Sequence, residues 1–211
     1  MIERQIQLPE LPELEFDEEA HIYKLRGEEV PSVTQLLKLL PDNDYANIPE
    51  SVLYNASRRG TAVHEAIEYY LLYGIEEYSE ECEPYMAAFK AFWEGFGGTV
   101  LGSEVRIYND CDTDEERELY GTGYAGTLDL LAVHNDKIVL LDFKCTSKIL
   151  KKKYALQLEA YARALKRFGI QVDEKLVVQL KKDGKYKAVD FPAVDEYSWA
   201  VFRGLRAINH F

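Results

Sequence analysis

The sequence predicts an α/β fold, a central mixed β-sheet flanked by α-helices, on three observations. Residues 128 to 144, LDLLAVHNDKIVLLDFK, hold two short apolar runs joined by a polar turn, the pattern of a β-hairpin. Next, KILKKKYALQLEAYARALKRFG carries Tyr154, Leu158, Tyr161, Leu165 and Phe168 at alternating spacings of four and three, the buried stripe of a long helix. KLVVQLK and YKAVDF then flank Asp183 and Gly184 as a second hairpin.

The remaining elements follow in chain order. Residues 1 to 14 read as an extended arm, and EFDEEAHIYKLRGEEV alternates around an Arg26-Gly27 turn as a small hairpin. PSVTQLLKLL starts a helix with Ser32 or Thr34 as its N-cap. Residues 41 to 56 read as irregular, with Pro41 and Pro49 as breakers. SRRGTAVHEAIEYYLLYG predicts a helix from about Thr61 to Tyr73 whose stripe is Val63, Ala66, Ile67, Tyr70 and Leu71, with His64 beside it. A helix from about Glu83 to Phe96 carries Tyr85, Ala88, Phe89 and Phe92. TVLGSEVRIY alternates as a strand with Gly102, Glu104 and Arg106 on one face. The acidic stretch NDCDTDEERELYGTG reads as a mobile loop, and DEYSWAVFRGLRAINHF as a closing helix.

The length of 211 residues suits one domain. No apolar run approaches the roughly 20 residues of a membrane span, and MIERQIQLPELPELEF is too acidic and proline-broken for a signal peptide. A cytoplasmic protein without a membrane partner is expected. Cys82, Cys111 and Cys145 are odd in number and form no CxxC pair, which argues against a disulfide framework or a tetrahedral zinc site and for small buried hydrophobes. The net charge of −12 looks wrong for a nucleic-acid partner, but it is unevenly spread. Residues 1 to 136 sum to −20, residues 137 to 187 to +9 and residues 188 to 211 to −1. The basic third includes Lys148, Lys151, Lys152 and Lys153, candidates for contacting a polyanion.

That basic third begins beside two aspartates. If Val133 pairs with Ile138, Asp129 lies opposite Asp142 on one face of the hairpin, with Cβ atoms roughly 5 Å apart. Lys144 shares that face because side chains alternate. Opposed carboxylates on a half-buried sheet repel unless something positive lies between them. Lys144 supplies one charge; a divalent cation supplies two and prefers oxygen ligands. The competing reading is a solvated aspartate, or one proton shared by the pair.

In RGTAVHEAIE, AGTLDLL, LDFKCTS and QLEAY, ordered over residues 58 to 165, the chain resembles the PD-(D/E)XK nuclease superfamily, specifically its RecB-like exonuclease branch. HIYKLRGEEVPSVTQLL is similar to the N-terminal hairpin and helix of phage-type members. The resemblance implies a restriction-endonuclease-like sheet and a Mg²⁺- or Mn²⁺-dependent DNA nuclease, an exonuclease acting at ends in repair or recombination. It implies that Asp129, Asp142, the Phe143 carbonyl and His64 ligate the metal, and that Glu104 binds or orients one. Lys144 would polarise the attacking water and stabilise charge on the phosphate. Gln157 and Tyr161 match the motif that positions the lysine, the DNA backbone or both. Relatives with an iron-sulfur cluster use four cysteines, so none is expected here. A homo-oligomer or a recombination partner protein fits the same resemblance. Three rivals are a structure-specific or restriction-type endonuclease on the same fold, an idle DNA-binding or scaffold protein, and a metal-dependent hydrolase acting on something other than DNA. Without the resemblance, His64 reads as a core histidine, Glu104 as a solvated strand residue, and Tyr161 as part of the helix stripe.

Overall fold

The computed structural model describes residues 7–41 and 48–211. Two sheets are formed among the described residues. The smaller comprises β1 (Leu14–Asp17), β2 (Ile22–Leu25) and β3 (Glu28–Val30), all antiparallel. It therefore has one strand more than the expected hairpin. Arg26 and Gly27 make the β2–β3 turn with φ of 53° and 82°, and His21 at φ 54° ends the additional β1–β2 turn. Residues 1–6 of the expected arm lie outside the described residues; from the remainder, Leu8 packs against the main core. Helix α1 (Val33–Leu37) starts at Ser32, whose hydroxyl accepts from the Gln35 N–H while the Gln35 side chain accepts from the Ser32 N–H, a reciprocal capping box.

Helix α2 (Glu50–Tyr73) begins eleven residues earlier than the stripe predicts. Residues 42–47 of the stretch read as irregular lie outside the described residues, and residues 50–56 are helical. Pro49 is the N-cap and so precedes the helix instead of breaking it. The early turns are mostly exposed, with Val52, Leu53 and Tyr54 in solvent, so no buried stripe announces them. Helix α3 (Glu83–Phe96) follows.

The larger sheet is mixed, in the order β4 (Thr99–Asn109), β5 (Tyr124–His134), β6 (Lys137–Lys144), β7 (Glu174–Leu180), β8 (Tyr186–Phe191). Only β6 and β7 are parallel, joined by α5 (Lys151–Arg167). The acidic stretch read as a loop forms α4 (Asp114–Tyr120), capped by the Thr113 hydroxyl, with three acidic residues in its first turn. Helix α6 (Glu196–His210) is capped by Asp195. The helices flank a central sheet, an α/β architecture compatible with a restriction-endonuclease-like fold. No helix among the described residues is long and apolar enough to cross a membrane. Cys82 is buried as expected, whereas Cys111 and Cys145 are only half-buried.

Both sheet faces are covered. Ile138, Leu140 and Val177 pack with Leu158, Leu165 and Phe202 on one side; Val139, Leu141, Phe143 and Val178 pack with Ile67, Phe89 and Phe92 on the other. The alternation on β6 is regular, which assigns Asp142 and Lys144 to the α5 side. On β5 the phase changes: Leu128 and Leu131 share the α5 side, while Leu130 and Ala132 face α2 and α3. Asp129 sits at that change.

Candidate metal centre

The β5–β6 ladder runs in the expected register from His134↔Lys137 to Leu130↔Leu141, then stops one residue before Asp129 and Asp142. Its turn is shorter than the four residues expected: Asn135 and Asp136 alone form it, at φ of 51° and 62°. At the open end, side chains take the place of ladder bonds around Phe143. Asp129 Oδ2 accepts the Phe143 N–H at 2.7 Å, and the Phe143 carbonyl lies 3.0 Å from His64 Nε2 on α2. A carbonyl can only accept, so Nε2 donates and Nδ1 is turned the other way. That nitrogen lies 3.6 Å from Glu104 Oε1 and 3.6 Å from Asp129 Oδ1.

His64, Glu104 and Asp129 therefore form a compact donor group, one ligand atom from each lying within 4.8 Å of the others. Burial disfavours a charged His64 ring, but Asp129 and then Glu104 outweigh it and raise the pKa to about 9. An imidazole nitrogen facing two carboxylates is stable only with a cation between them, either a proton or a metal ion. Glu104 is delivered by a distorted strand. The β4–β5 register shifts between Val100 and Gly102, and Glu104 itself adopts the left-handed φ of 49°. A non-glycine residue there costs about 1–2 kcal/mol, and such strain concentrates at functional sites.

Asp142 and Lys144 form the adjoining pair. Asp142 is 1 % exposed, and Lys144 Nζ donates to its Oδ1 at 2.7 Å. Nζ is also 2.7 Å from Oδ2, so both oxygens of this buried carboxylate face the one ammonium. Burial raises the Asp142 pKa; Lys144 opposes the rise and Asp129 adds to it. Burial would lower that of Lys144, but Asp142 and Asp129 together hold it above its ordinary value. The ammonium lies 5.4 Å from the centre of the Tyr154 ring. Two carboxylates and an imidazole nitrogen within one small space suit an oxygen-preferring divalent ion, so the residues present fit such a metal. His64, Glu104 and Asp129 are the group that could hold it, with Asp142 and the Phe143 carbonyl beside them.

The other sequence candidates occupy two places. Gln157 and Tyr161 are buried on α5, with Gln157 Nε2 3.5 Å from the Tyr161 hydroxyl. Tyr161 packs over Gly126, where an added Cβ would meet its Cε1 at 2.8 Å, and burial raises its pKa. Lys148, Lys151, Lys152 and Lys153 line a groove of about 400 Å³ with Leu40, Pro41, Ile149 and Leu150. That groove is separate from the cavity of about 310 Å³ that His64 and Glu104 line. The second cavity also receives Glu65 and Glu68 of α2, Glu18, and Arg106 of β4, which the motifs did not single out. Helical spacing was the available signal, because Glu68 is one turn beyond His64. Burial first, then Glu104 and Glu65, raises the Glu68 pKa.

No family model and no curated protein matches this chain. Among solved structures it is similar to the crystal structure of SSO0001, with a TM-score of 0.42 and 15% identity over 83% of this chain and 72% of that one. It is also similar to a protein named "Putative exonuclease" from Eubacterium rectale, with a TM-score of 0.41 and 11% identity over 86% of this chain and 66% of that one.

Proposed function

We propose that this chain is a divalent-metal-dependent DNA nuclease of the RecB-like PD-(D/E)XK kind, hydrolysing phosphodiester bonds at DNA ends. The observation that carries the reading is the open end of the β5–β6 hairpin. There His64 Nδ1, Glu104 and Asp129 converge next to the buried Asp142–Lys144 pair. His64, Glu104 and Asp129, with Asp142 beside them, would hold Mg²⁺ or Mn²⁺. Bound there, the ion supplies a Lewis acid for a phosphoryl oxygen.

The protein's own groups do the rest. Asp142 holds the Lys144 ammonium at a fixed position, and the lysine side chain is 18% exposed, enough to reach a phosphate oxygen or a water at the site. A preorganised cation stabilises charge that develops in the transition state. Phe143, gripped through its N–H by Asp129 and through its carbonyl by His64, fixes the strand that carries both Asp142 and Lys144. Tyr161 and Gln157 back the site from α5, and the lysines at the start of α5 offer phosphate contacts. An idle scaffold would have no use for a strained Glu104 or a buried Asp142–Lys144 ion pair.

The test is cleavage of end-labelled linear and covalently closed circular DNA, single- and double-stranded, with Mg²⁺ or with EDTA. Mg²⁺-dependent shortening of linear DNA alone is the expected result. Cleavage of circles would make the enzyme an endonuclease, and no cleavage of any DNA would favour the scaffold.

A further inference from the structure

The cavity beside the metal centre is lined by Glu18, Glu65, Glu68 and Glu104, and one lysine or arginine among the described residues lines it, Arg106. A polyanion entering this acidic pocket needs a cation that is already in place. Arg106 lies two residues from Glu104 on β4, and its guanidinium carbon stands 5.0 Å from the centre of the Phe16 ring. Phe16 is itself stacked on Tyr23 at 4.4 Å. The guanidinium therefore rests on an aromatic support that does not depend on an ion pair. Its carboxylate partner is Glu18 at 2.9 Å, in the turn after β1, with 78% of the Glu18 side chain exposed and 47% of that of Arg106. An exposed pair of this kind holds weakly, while a guanidinium binds phosphate through a paired set of donors.

We infer that Arg106 is a substrate-phosphate contact and that Glu18 occupies the phosphate position in the free protein, as a carboxylate that the DNA backbone displaces. The inference rests on the nuclease reading for the identity of the polyanion. It extends the expected DNA surface from the basic third, residues 137–187, to an arginine in the acidic part of the chain.

Two substitutions separate this exchange from a merely structural clasp. If Arg106 and Glu18 only pin the small sheet over the cavity, removing either loosens the same contact and both variants shift DNA binding the same way. If Glu18 competes with phosphate, the two act in opposite directions. The measurement is fluorescence anisotropy of a labelled oligonucleotide, single-stranded and duplex, in Ca²⁺, with single-turnover cleavage in Mg²⁺ on the same proteins and circular dichroism as the folding control. Arg106→Ala is expected to weaken binding about ten- to a hundredfold. It should also reduce the log–log salt slope by about 0.9 for duplex or about 0.7 for single strands. Arg106→Lys should recover part of the loss. Glu18→Ala is expected to tighten binding by up to about fivefold. Shifts of the same sign, or no shift in either variant, would overturn the inference. Opposite shifts in a wild-type protein that cleaves no DNA would support the anion contact and overturn the nuclease reading instead.

Discussion

The β5–β6 hairpin has two ends that obey different rules. At the closed end, Asn135 and Asp136 take up the left-handed turn that matches strand twist, and the ladder continues from His134↔Lys137 without interruption to Leu130↔Leu141. At the open end the strands part, and Phe143 finds its partners in the side chains of Asp129 and His64. Backbone groups in a protein interior must be satisfied somewhere. Where strands supply the partners the hairpin is structural; where ionisable side chains supply them, the same residues are gathered into a site. The left-handed backbone at the closed end makes the turn, whereas at Glu104 it aims a carboxylate.

That contrast can be broken hardest at Lys144. Lys144→Ala removes the preorganised cation at the open end and leaves Asp142 buried without a partner. Single-turnover cleavage should fall about a hundred- to a thousandfold, equivalent to about 2.7–4 kcal/mol. Thermal unfolding should report a further loss of stability. Lys144→Arg should slow cleavage nearly as much, because a planar fork does not replace a compact ammonium against a 1 %-exposed carboxylate. Unchanged cleavage by either folded variant would remove Lys144 from the mechanism.

A smaller effect is expected behind the site. Gly126→Ala places a methyl 2.8 Å from the ring of the buried Tyr161, so α5 or the tyrosine must move. Urea denaturation should show a loss of about 1–3 kcal/mol, as overpacking usually gives. Full stability in this variant would mean that Tyr161 is loosely held and does not buttress the centre.

Smallest is the closed end, and it sharpens the comparison. Asp136→Gly relaxes a left-handed position at φ 62° and should stabilise the chain by about 1 kcal/mol with no change in cleavage. Glu104→Gly relaxes the same kind of backbone at φ 49° and should leave stability level or improved while metal-dependent cleavage collapses. If both glycines behaved alike in the cleavage assay, the two left-handed positions would not differ in purpose.

These differences also show what could be read from sequence. The hairpin register was legible because a polar turn separates two short apolar runs and so pairs Val133 with Ile138. The α5 stripe was legible from its helical spacing, and its Leu158 and Leu165 are fully buried. The first turns of α2 were not, because a helix that buries nothing leaves no periodicity, and α4 likewise contains no buried residue. At the candidate site, the hairpin register pointed to Asp129, Asp142 and Lys144, and the family resemblance implied His64. The grip on Phe143 and the left-handed Glu104 were hidden, because both depend on where two strands separate. Arg106 was placed on the Glu104 face by strand alternation, but it lies in the part of the chain that sums to −20, so charge did not mark it as a contact in the His64 cavity.

The central claim is that the open end of the hairpin holds a divalent cation, and Mn²⁺ binding measures it without reference to any substrate. Titration followed by electron paramagnetic resonance, on wild type, Asp129→Ala and the closed-end variant Asp136→Gly, should show Mn²⁺ bound by wild type and by Asp136→Gly and lost in Asp129→Ala. Equal Mn²⁺ binding by all three proteins, or none by wild type, would contradict the account.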